Sequence, residues 1–297
     1  MSLLKRIADF YDTHYKFLLL IPMILLSLSL FVVIQHYLLT GEIVNRGVSL
    51  KGGVTITIPD VRTMTAPEMQ AYLRSLHPDQ DIIVGAIKNP GGVSGLNIEA
   101  DINDEKSILS LEQEIEDKLH LQKADYNEEI MGSSLGASFF LQTIKAIIIA
   151  FLFMSVVVFL YFKIPVPSLA VVLAAFSDMV TTLAVIDLLG MKLSTAGIAA
   201  FLMLIGYSVD TDILLSTRVL RRKKGTVAER IRKAMKTGFM MSATTLGAVI
   251  AGLLVAESAV IIQIMSILLI GLCADLIYTW LQNGPLLRMY LERKRHV

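Results

Sequence analysis

Charged residues are scarce in this chain of 297 residues, at 18% against about a quarter in an average soluble domain. Cysteine is almost absent, and the single residue Cys273 excludes a disulfide framework and a cysteine-based metal site. Hydrophobic residues make up 54% of the chain. This composition indicates that a lipid bilayer is the main solvent of the protein.

Catalytic and nucleotide-binding motifs are also missing. The chain has no G-x-x-x-x-G-K-[ST], H-E-x-x-H or G-x-S-x-G motif, and its five histidines are scattered. The stretch Leu50-Lys51-Gly52-Gly53 does not have the spacing of a phosphate-binding loop. We therefore predict a protein that is not an enzyme and that binds no metal, cofactor or nucleotide.

Six apolar runs are each about as long as the 20 residues that a helix needs to cross a bilayer. The first is about twice as long as the apolar part of a signal peptide and has no small-residue cleavage site, so we expect it to remain as a span. The third and fourth are joined by Gly-Met-Lys-Leu, which predicts antiparallel neighbours; Glu257 and Ser258 form a tight turn before the last. The runs are Phe17–Leu39, Thr143–Phe162, Val166–Leu189, Ser194–Leu220, Thr237–Ala256 and Ala259–Gln282.

Lysine and arginine are concentrated in three segments: the N-terminus, the loop 221–236 and the C-terminal tail. Six spans place all three on one side, and such basic segments mark the cytoplasmic side. We predict a multi-pass protein of the cytoplasmic membrane with both termini inside the cell. The basic loop could also suggest nucleic-acid binding, but its position beside spanning helices favours topology, so we expect no nucleic-acid partner.

The segment 41–135 is polar and is expected on the outer side as a separate domain. Strand and helix signals follow each other in the order β-α-β-β-α-β, which is typical of a ferredoxin-like α+β domain. The fold class predicted is a polytopic α-helical membrane protein with six transmembrane helices and this domain between the first two. Residues 1–40 would form the N-terminus and first helix, and residues 136–297 a five-helix membrane domain with a basic cytoplasmic tail. The signals are the alternating Val54, Ile56 and Ile58, the helix start at Thr65 and Pro67, strands Asp81–Ile87 and Gly95–Ala100 around a turn at Asn89-Pro90-Gly91-Gly92, the helical spacing of Ile108, Leu111, Ile115 and Leu119, and a strand at Ala124–Met131.

Charged residues inside the apolar runs are the most informative, because each costs a few kcal/mol at the membrane centre. Asp178 lies about twelve residues from either end of the third run, or ~18 Å deep in a helix. A carboxyl group there should face protein or water. It could take part in a proton or ion relay, or it could be a protonated group that only strengthens helix packing.

The fourth run carries Asp210 and Asp212, which would point about 200° apart on a helix and so cannot both face one neighbour. Counted back from Arg218, Asp210 reaches a depth similar to that of Asp178, and we expect these two to be neighbours in a relay, with polar packing as the alternative. Arg218 could pair with one of these aspartates or extend its guanidinium towards the membrane surface.

Three small or hydroxyl residues precede these aspartates. Gly206 should permit close helix approach, while Tyr207 and Ser208 should supply bridging hydroxyls. Asp187 and Asp275 are interpreted as interfacial or packing residues. The fifth run is rich in small residues, which predict a close contact either inside the chain or with a partner.

Taken together, these motifs resemble the SecF branch of the SecD/SecF protein-export family, which is related to the resistance-nodulation-division transporters. The resemblance covers nearly the whole chain and is closest to archaeal-type members. Asp178 matches the family's aspartate in the third span, with Ser177 in place of a histidine. The other matching residues are the segment Gly47–Gly53 with its Gly52 and Gly53, Ser134-Leu135-Gly136, Ile205-Gly206-Tyr207-Ser208, Arg218, and Pro285-Leu286-Leu287, whereas Ser49, Asp210, Thr211 and Thr217 depart from the family pattern.

The resemblance implies an accessory subunit of the Sec translocase that acts with a SecD-type partner, the translocation channel and exported polypeptides. It also implies that proton or sodium flow through a polar membrane site moves the outer domain, and the candidates for this relay in the present chain are Asp178, Asp210, Asp212 and Arg218. One alternative is a half-sized transporter of small molecules or lipids, which would need an aromatic- or methionine-lined pocket in the outer domain. A second is a structural subunit without ion flux.

Overall fold

In a computed structural model, the chain forms a helical membrane region and an α/β domain. The structure describes residues 3–295, except for 62, 79, 89–93, 222–224 and 257. The predicted turn at residues 89–92, part of the basic loop, and Glu257 of the predicted tight turn lie outside the described residues.

The elements follow the predicted order along the chain. They are α1 Leu3–Leu18, α2 Leu20–Thr40, α3 Val48–Lys51, β1 Gly53–Ile58, α4 Ala66–Leu76, β2 Ile82–Lys88, β3 Ser94–Ala100, α5 Glu105–Leu119, β4 Asn127–Met131, α6 Ser133–Phe162, α7 Pro165–Leu188, α8 Thr195–Arg221, α9 Val227–Val255, α10 Ala259–Tyr278, a π-helical turn Thr279–Asn283, and α11 Gly284–Arg295. Four of these helical pieces are additional to the prediction: α1, α3, the π-helical turn and α11.

Six of the described helical stretches are long and apolar enough to cross a membrane, as the six apolar runs predicted. The helices extend beyond the apolar runs. α6 begins at Ser133 rather than Thr143, because its polar first turns continue from β4 and contact α3. The described part of the predicted loop 221–236 is mostly helical, because α9 begins at Val227, where Thr226 and Glu229 form a capping box.

The α/β domain is built on an antiparallel sheet with strand order β2-β3-β1-β4. One face of the sheet packs against α4 and α5, and Ile56, Leu73 and Leu111 are fully buried between them. Helix α4 begins where the sequence predicted, with Thr65 as its N-cap, a capping box to Glu68, and Pro67 in the first turn. The other face of the sheet is polar and turns towards the membrane helices.

The centre of the membrane region is formed by α7, α8 and α10, which contact one another. More than half of the apolar stretch of α7 and of α8 is buried, against 17% for the first span and α9 and 6% for α6. The predicted α7–α8 neighbours are therefore in contact. Three helices expose most of their apolar surface to lipid or to another protein.

The α/β domain is docked onto the loop between α7 and α8. The amide of Gly47 donates to the carbonyl of Leu193 at 2.8 Å, and the amide of Leu193 donates to Asn45 at 2.7 Å. The Lys192 ammonium forms an ion pair of 2.6 Å with Asp81 of the domain. The two backbone hydrogen bonds of Leu193 connect the segment before β1 to the loop that joins two central membrane helices, α7 and α8.

Candidate functional site

Three aspartates from the three central helices meet inside the membrane region. Asp178 of α7, Asp212 of α8 and Asp275 of α10 are each at most 1% exposed. Their charges lie close enough to interact with each other. Asp178 lies ~20 Å along the helix from Pro165 and ~15 Å from Leu188, which places it near the middle of the span.

Hydroxyl and amide groups surround these carboxyl groups. The Ser208 hydroxyl donates to Asp178 Oδ2, and the Asn283 side-chain amide donates to Asp212 Oδ1 at 2.7 Å. The Thr279 hydroxyl donates to Asp275 Oδ1 at 3.0 Å. Each carboxyl group therefore has one donor from a different side chain, and the donors come from α8 and the π-helical turn.

The other oxygen of each carboxyl group has no hydrogen-bond partner among the described residues. Asp178 Oδ1, Asp212 Oδ2 and Asp275 Oδ2 are all buried and unpaired, as is the Ser216 hydroxyl. The buried polar side chains of the described membrane region include no lysine, arginine or histidine. Three negative charges so close together without a cation would be strongly unfavourable, so this carboxyl cluster can release or bind protons only with large electrostatic consequences.

Sequence reasoning missed two contributors to the carboxyl cluster. Asp275 was interpreted as an interfacial or packing residue, and the interfacial alternative is wrong, because Asp275 is buried in the centre of the bundle beside Asp178 and Asp212. Its position inside an apolar run was the available signal. The available sequence signal for the π-helical turn was Pro285, two residues after it, and the turn brings the fully buried Thr279 and Asn283 to the aspartates.

Asp210 does not take the place expected for it. It lies on the exposed face of α8, whereas Asp212 is fully buried, so the expectation that Asp210 and Asp178 are neighbours in a relay is wrong. The predicted opposite orientation of the two aspartates is confirmed, since Asp210 is exposed and Asp212 is fully buried on the same helix. Depth along the helix suggested the wrong partner, because rotation about the helix axis decides which residue faces the core.

The residues before Asp210 divide between the two faces of α8. Only Ser208 reaches the carboxyl cluster. Tyr207 is 41% exposed, and a Cβ added at Gly206 would meet nothing within 4 Å, so neither mediates helix contact inside this chain. Within this chain, Gly206 therefore does not mediate the close helix approach expected of it, and Tyr207 does not supply the expected bridging hydroxyl.

Arg218 follows neither of the two roles considered for it. Its guanidinium donates to the Lys233 carbonyl at 3.1 Å and to the Thr237 hydroxyl at 2.7 Å. Arg218 thus holds the end of α8 against α9, six residues after Asp212 of the carboxyl cluster, and forms no ion pair with an aspartate among the described residues.

Gly52 and Gly53 are needed where the domain meets the membrane helices. Both have positive φ, +102° and +130°, which side chains rarely adopt. A Cβ at Gly52 would lie 2.5 Å from Ser133 Cα, and one at Gly53 would overlap the Ala100 carbonyl. The motif is explained by close backbone packing rather than by ligand binding.

A cleft of about 620 Å³ separates the polar face of the sheet from the α7–α8 loop and the start of α10. Most of the residues that line it carry hydroxyl, amide or charged side chains, among them Thr57, Asn97, Glu99 and Gln263, and none of the described lining residues is aromatic or methionine. It therefore lacks the lining expected of a pocket for apolar small molecules. Among the described residues, no group of three or more histidine, cysteine or acidic side chains could hold a metal ion.

Comparison with known proteins gives a consistent match over most of the chain. Residues 111–293 match the family described as "Protein export membrane protein SecD/SecF, C-terminal". The chain is 38% identical to the protein-export membrane protein SecF of Pyrococcus furiosus, with 94% of this chain and 92% of the relative covered. It is 36% identical to SecF of Methanocaldococcus jannaschii, with 95% and 97% covered.

A similar fold occurs in the crystal structure of SecDF, a translocon-associated membrane protein from Thermus thermophilus. The TM-score is 0.75 at 17% sequence identity. The match covers 95% of this chain but only 38% of that longer chain. This likeness shows a shared fold for the membrane helices and the α/β domain taken together.

Proposed function

This chain belongs to the SecF family of protein-export membrane proteins, and on that premise we propose that it is an accessory subunit of the Sec translocase. It promotes export of polypeptides across the cytoplasmic membrane together with the translocation channel. The names of its relatives and the match over more than nine-tenths of the chain support this function.

The energy for this role comes from the ion gradient, most simply from protons. The observation that carries this proposal is the carboxyl cluster: Asp178, Asp212 and Asp275 are buried in mid-membrane without a cation among the described buried side chains. Adding or removing a proton there changes the interactions between three central helices. Each elementary charge moved across the membrane is worth ~2.3 kcal/mol per 100 mV, so a few protons can shift a two-state helix arrangement.

The partner in this role is a homologous SecD-type membrane protein. Asp210 and the adjoining Tyr207 lie on an exposed face of α8, and an aspartate facing lipid is costly. The open space beside Gly206 and Gly247 leaves room for close approach of further helices. The longer SecDF chain, of which this chain matches 38%, supports an assembly of two such halves.

The α/β domain lies outside the cell and both termini lie in the cytoplasm. The strand order β2-β3-β1-β4 in a β-α-β-β-α-β chain supports a ferredoxin-like domain. The basic residues support the orientation: Arg232 of α9 and Arg288 of α11 both pair with Asp12 of α1, so the three basic segments meet at the end opposite the domain.

The test is to neutralise single aspartates without changing their size. Asp178→Asn and Asp212→Asn should insert, fold and co-purify with the SecD-type partner, yet lose most of the gradient-dependent export measured in membrane vesicles. The structure extends the expectation to Asp275→Asn, which should be affected comparably because Asp275 faces the same two carboxyl groups. Asp187→Asn is the matched control, because Asp187 lies on the same helix at the C-terminal end of α7 and outside the carboxyl cluster. This variant should retain export.

The result that contradicts the proposal is equally specific. Wild-type export by Asp178→Asn and Asp212→Asn, together with a loss of stability in Asp178→Ala, would make these residues packing groups in a structural subunit. Repeated purification of the chain alone in an active form, from native membranes in mild detergent, would contradict the partnership.

A further inference from the structure

The helix that carries Asp275 changes its hydrogen-bond pattern just after this residue. Residues Thr279–Asn283 form a π-helical turn, in which the amide of Gly284 donates to the carbonyl of Thr279, five residues earlier. Such turns are rare and are concentrated at functional sites. Here the turn lies at the carboxyl cluster, because its residues Thr279 and Asn283 donate to two of the three aspartates.

The sequence gives a physical reason for the turn. Proline at position 285 has no amide hydrogen, and in an α-helix its ring would clash with the carbonyl of Leu281. In the π-helical pattern the carbonyl of Trp280 would need the amide hydrogen of residue 285, which proline lacks. This buried carbonyl is therefore left without a donor from its own helix.

The missing donor comes from the other end of the chain. The hydroxyl of Tyr11 in α1 donates to the Trp280 carbonyl at 2.8 Å, and Tyr11 is only 6% exposed. Gly284 leaves the space this hydroxyl occupies, since a Cβ there would lie 2.8 Å from it. The hydrogen bond joins residues 269 positions apart and stabilises the π-helical turn from outside.

Helix α1 is held in place beside this contact by charged groups. Asp12, the residue after Tyr11, pairs with Arg288 of α11 at 3.1 Å and with Arg232 of α9 at 3.2 Å. The position of Tyr11 thus depends on how α1 is fixed against two other helices. Removal of the Tyr11 hydroxyl would leave a buried carbonyl unpaired and favour a different helical register, which rotates Asn283 away from Asp212.

We propose that Tyr11 is a positioning residue for the carboxyl cluster: by capping the Trp280 carbonyl it maintains the π-helical turn and keeps Asn283 on Asp212. Among the described residues, the Tyr11 hydroxyl donates to the Trp280 carbonyl and to none of the three aspartates, so Tyr11 acts on them through the turn. The role in ion coupling rests on the proposed function, whereas the positioning is a property of the structure that can be measured separately.

The experiment uses the full chain in lipid with its partner and compares Tyr11→Phe with the wild type. Hydrogen–deuterium exchange of residues 279–287 should become several-fold faster, because the turn loses its external hydrogen bond. The rate at which a hydrophobic carbodiimide modifies Asp212 should rise at least threefold, because withdrawal of the Asn283 amide uncovers the carboxyl oxygen. Asn283→Ala should reproduce the second effect, and Tyr11→Phe combined with Asn283→Ala should not exceed it.

Tyr15→Phe is the matched control, because it removes a hydroxyl one turn later on the same helix, where the bond of 2.8 Å goes to Glu292 instead. It should leave both rates unchanged. Unchanged exchange and unchanged Asp212 modification in Tyr11→Phe would overturn the inference, even if its melting temperature fell. Should Asp212 of the wild type not react, the exchange rate alone decides. Because neither readout requires export, failure of the proposed function in the aspartate variants would remain distinguishable from failure of the positioning role.

Discussion

At the scale of single residues, Glu99 illustrates how position controls the charge of a side chain outside the membrane. It lies on β3, in the cleft between the sheet and the α7–α8 loop. Burial raises its pKa, while the charge of Lys192 and a hydrogen bond from Asn97 lower it to a smaller extent. Lys192 is committed to an ion pair with Asp81, which limits how far it can compensate.

This pKa shift leads to a prediction about stability and pH. Because the pKa of Glu99 is raised on folding, Glu99 destabilises the domain least below about pH 4.3, where its side chain is protonated in both the folded and the unfolded state. It loses stability as the pH rises through the folded-state pKa. Glu99→Gln should therefore raise the melting temperature at pH 7–8, with a difference that disappears near pH 4 in thermal unfolding of the full chain. The exposed Glu129→Gln on β4 is the control, and an equal gain there or a gain that persists at pH 4 would contradict the argument.

At the scale of secondary-structure elements, the corner between α3 and β1 determines how the domain meets the membrane helices. Gly52 packs against the backbone of Ser133, and a Cβ at Gly136 of α6 would lie 2.8 Å from the Gly52 nitrogen. Lys51, at the end of α3, pairs with Asp101 at 2.8 Å. The corner therefore connects α6 to the sheet by direct backbone contact, which leaves no room for a side chain at Gly52 or Gly136.

Gly52→Ala should consequently destabilise the folded chain by about 2 kcal/mol or more, from backbone strain and overlap with α6 together. Thermal unfolding in detergent measures the loss. Gly132→Ala provides the control one residue before α6, because an added Cβ there meets nothing within 4 Å. If both substitutions were equally well tolerated, the close packing described for this corner would be wrong.

At the scale of the whole molecule, six spans and three basic segments at one end determine the orientation in the membrane. A reporter fused after Asn103 should read outside the cell, and one fused after Gly225 should read inside. Both fusions are made in the full chain and scored with a reporter that is active on only one side. Readings on the same side would eliminate the six-span arrangement.

Much of this architecture could be predicted from the sequence. The six spans follow from the lengths of apolar runs, and helix α4 from the N-cap Thr65 and Pro67, because these signals act locally along the chain. The burial of a carboxyl group at Asp178 was also predictable, because a charge in mid-span must avoid lipid. The opposite directions of Asp210 and Asp212 follow from helix geometry alone.

Only the tertiary structure decided which residues share the site. Whether Asp210 or Asp212 faces the core depends on the rotation of α8 against α7 and α10, which results from packing along three whole helices rather than from any local pattern. Asp275 joins the carboxyl cluster for the same reason. Asn283 reaches Asp212 through a π-helical turn whose unpaired carbonyl is capped by Tyr11, a contact between the two ends of the chain. Sequence periodicity predicts which residues share one face of a helix. It does not predict which residues from distant segments of the chain pack against that face.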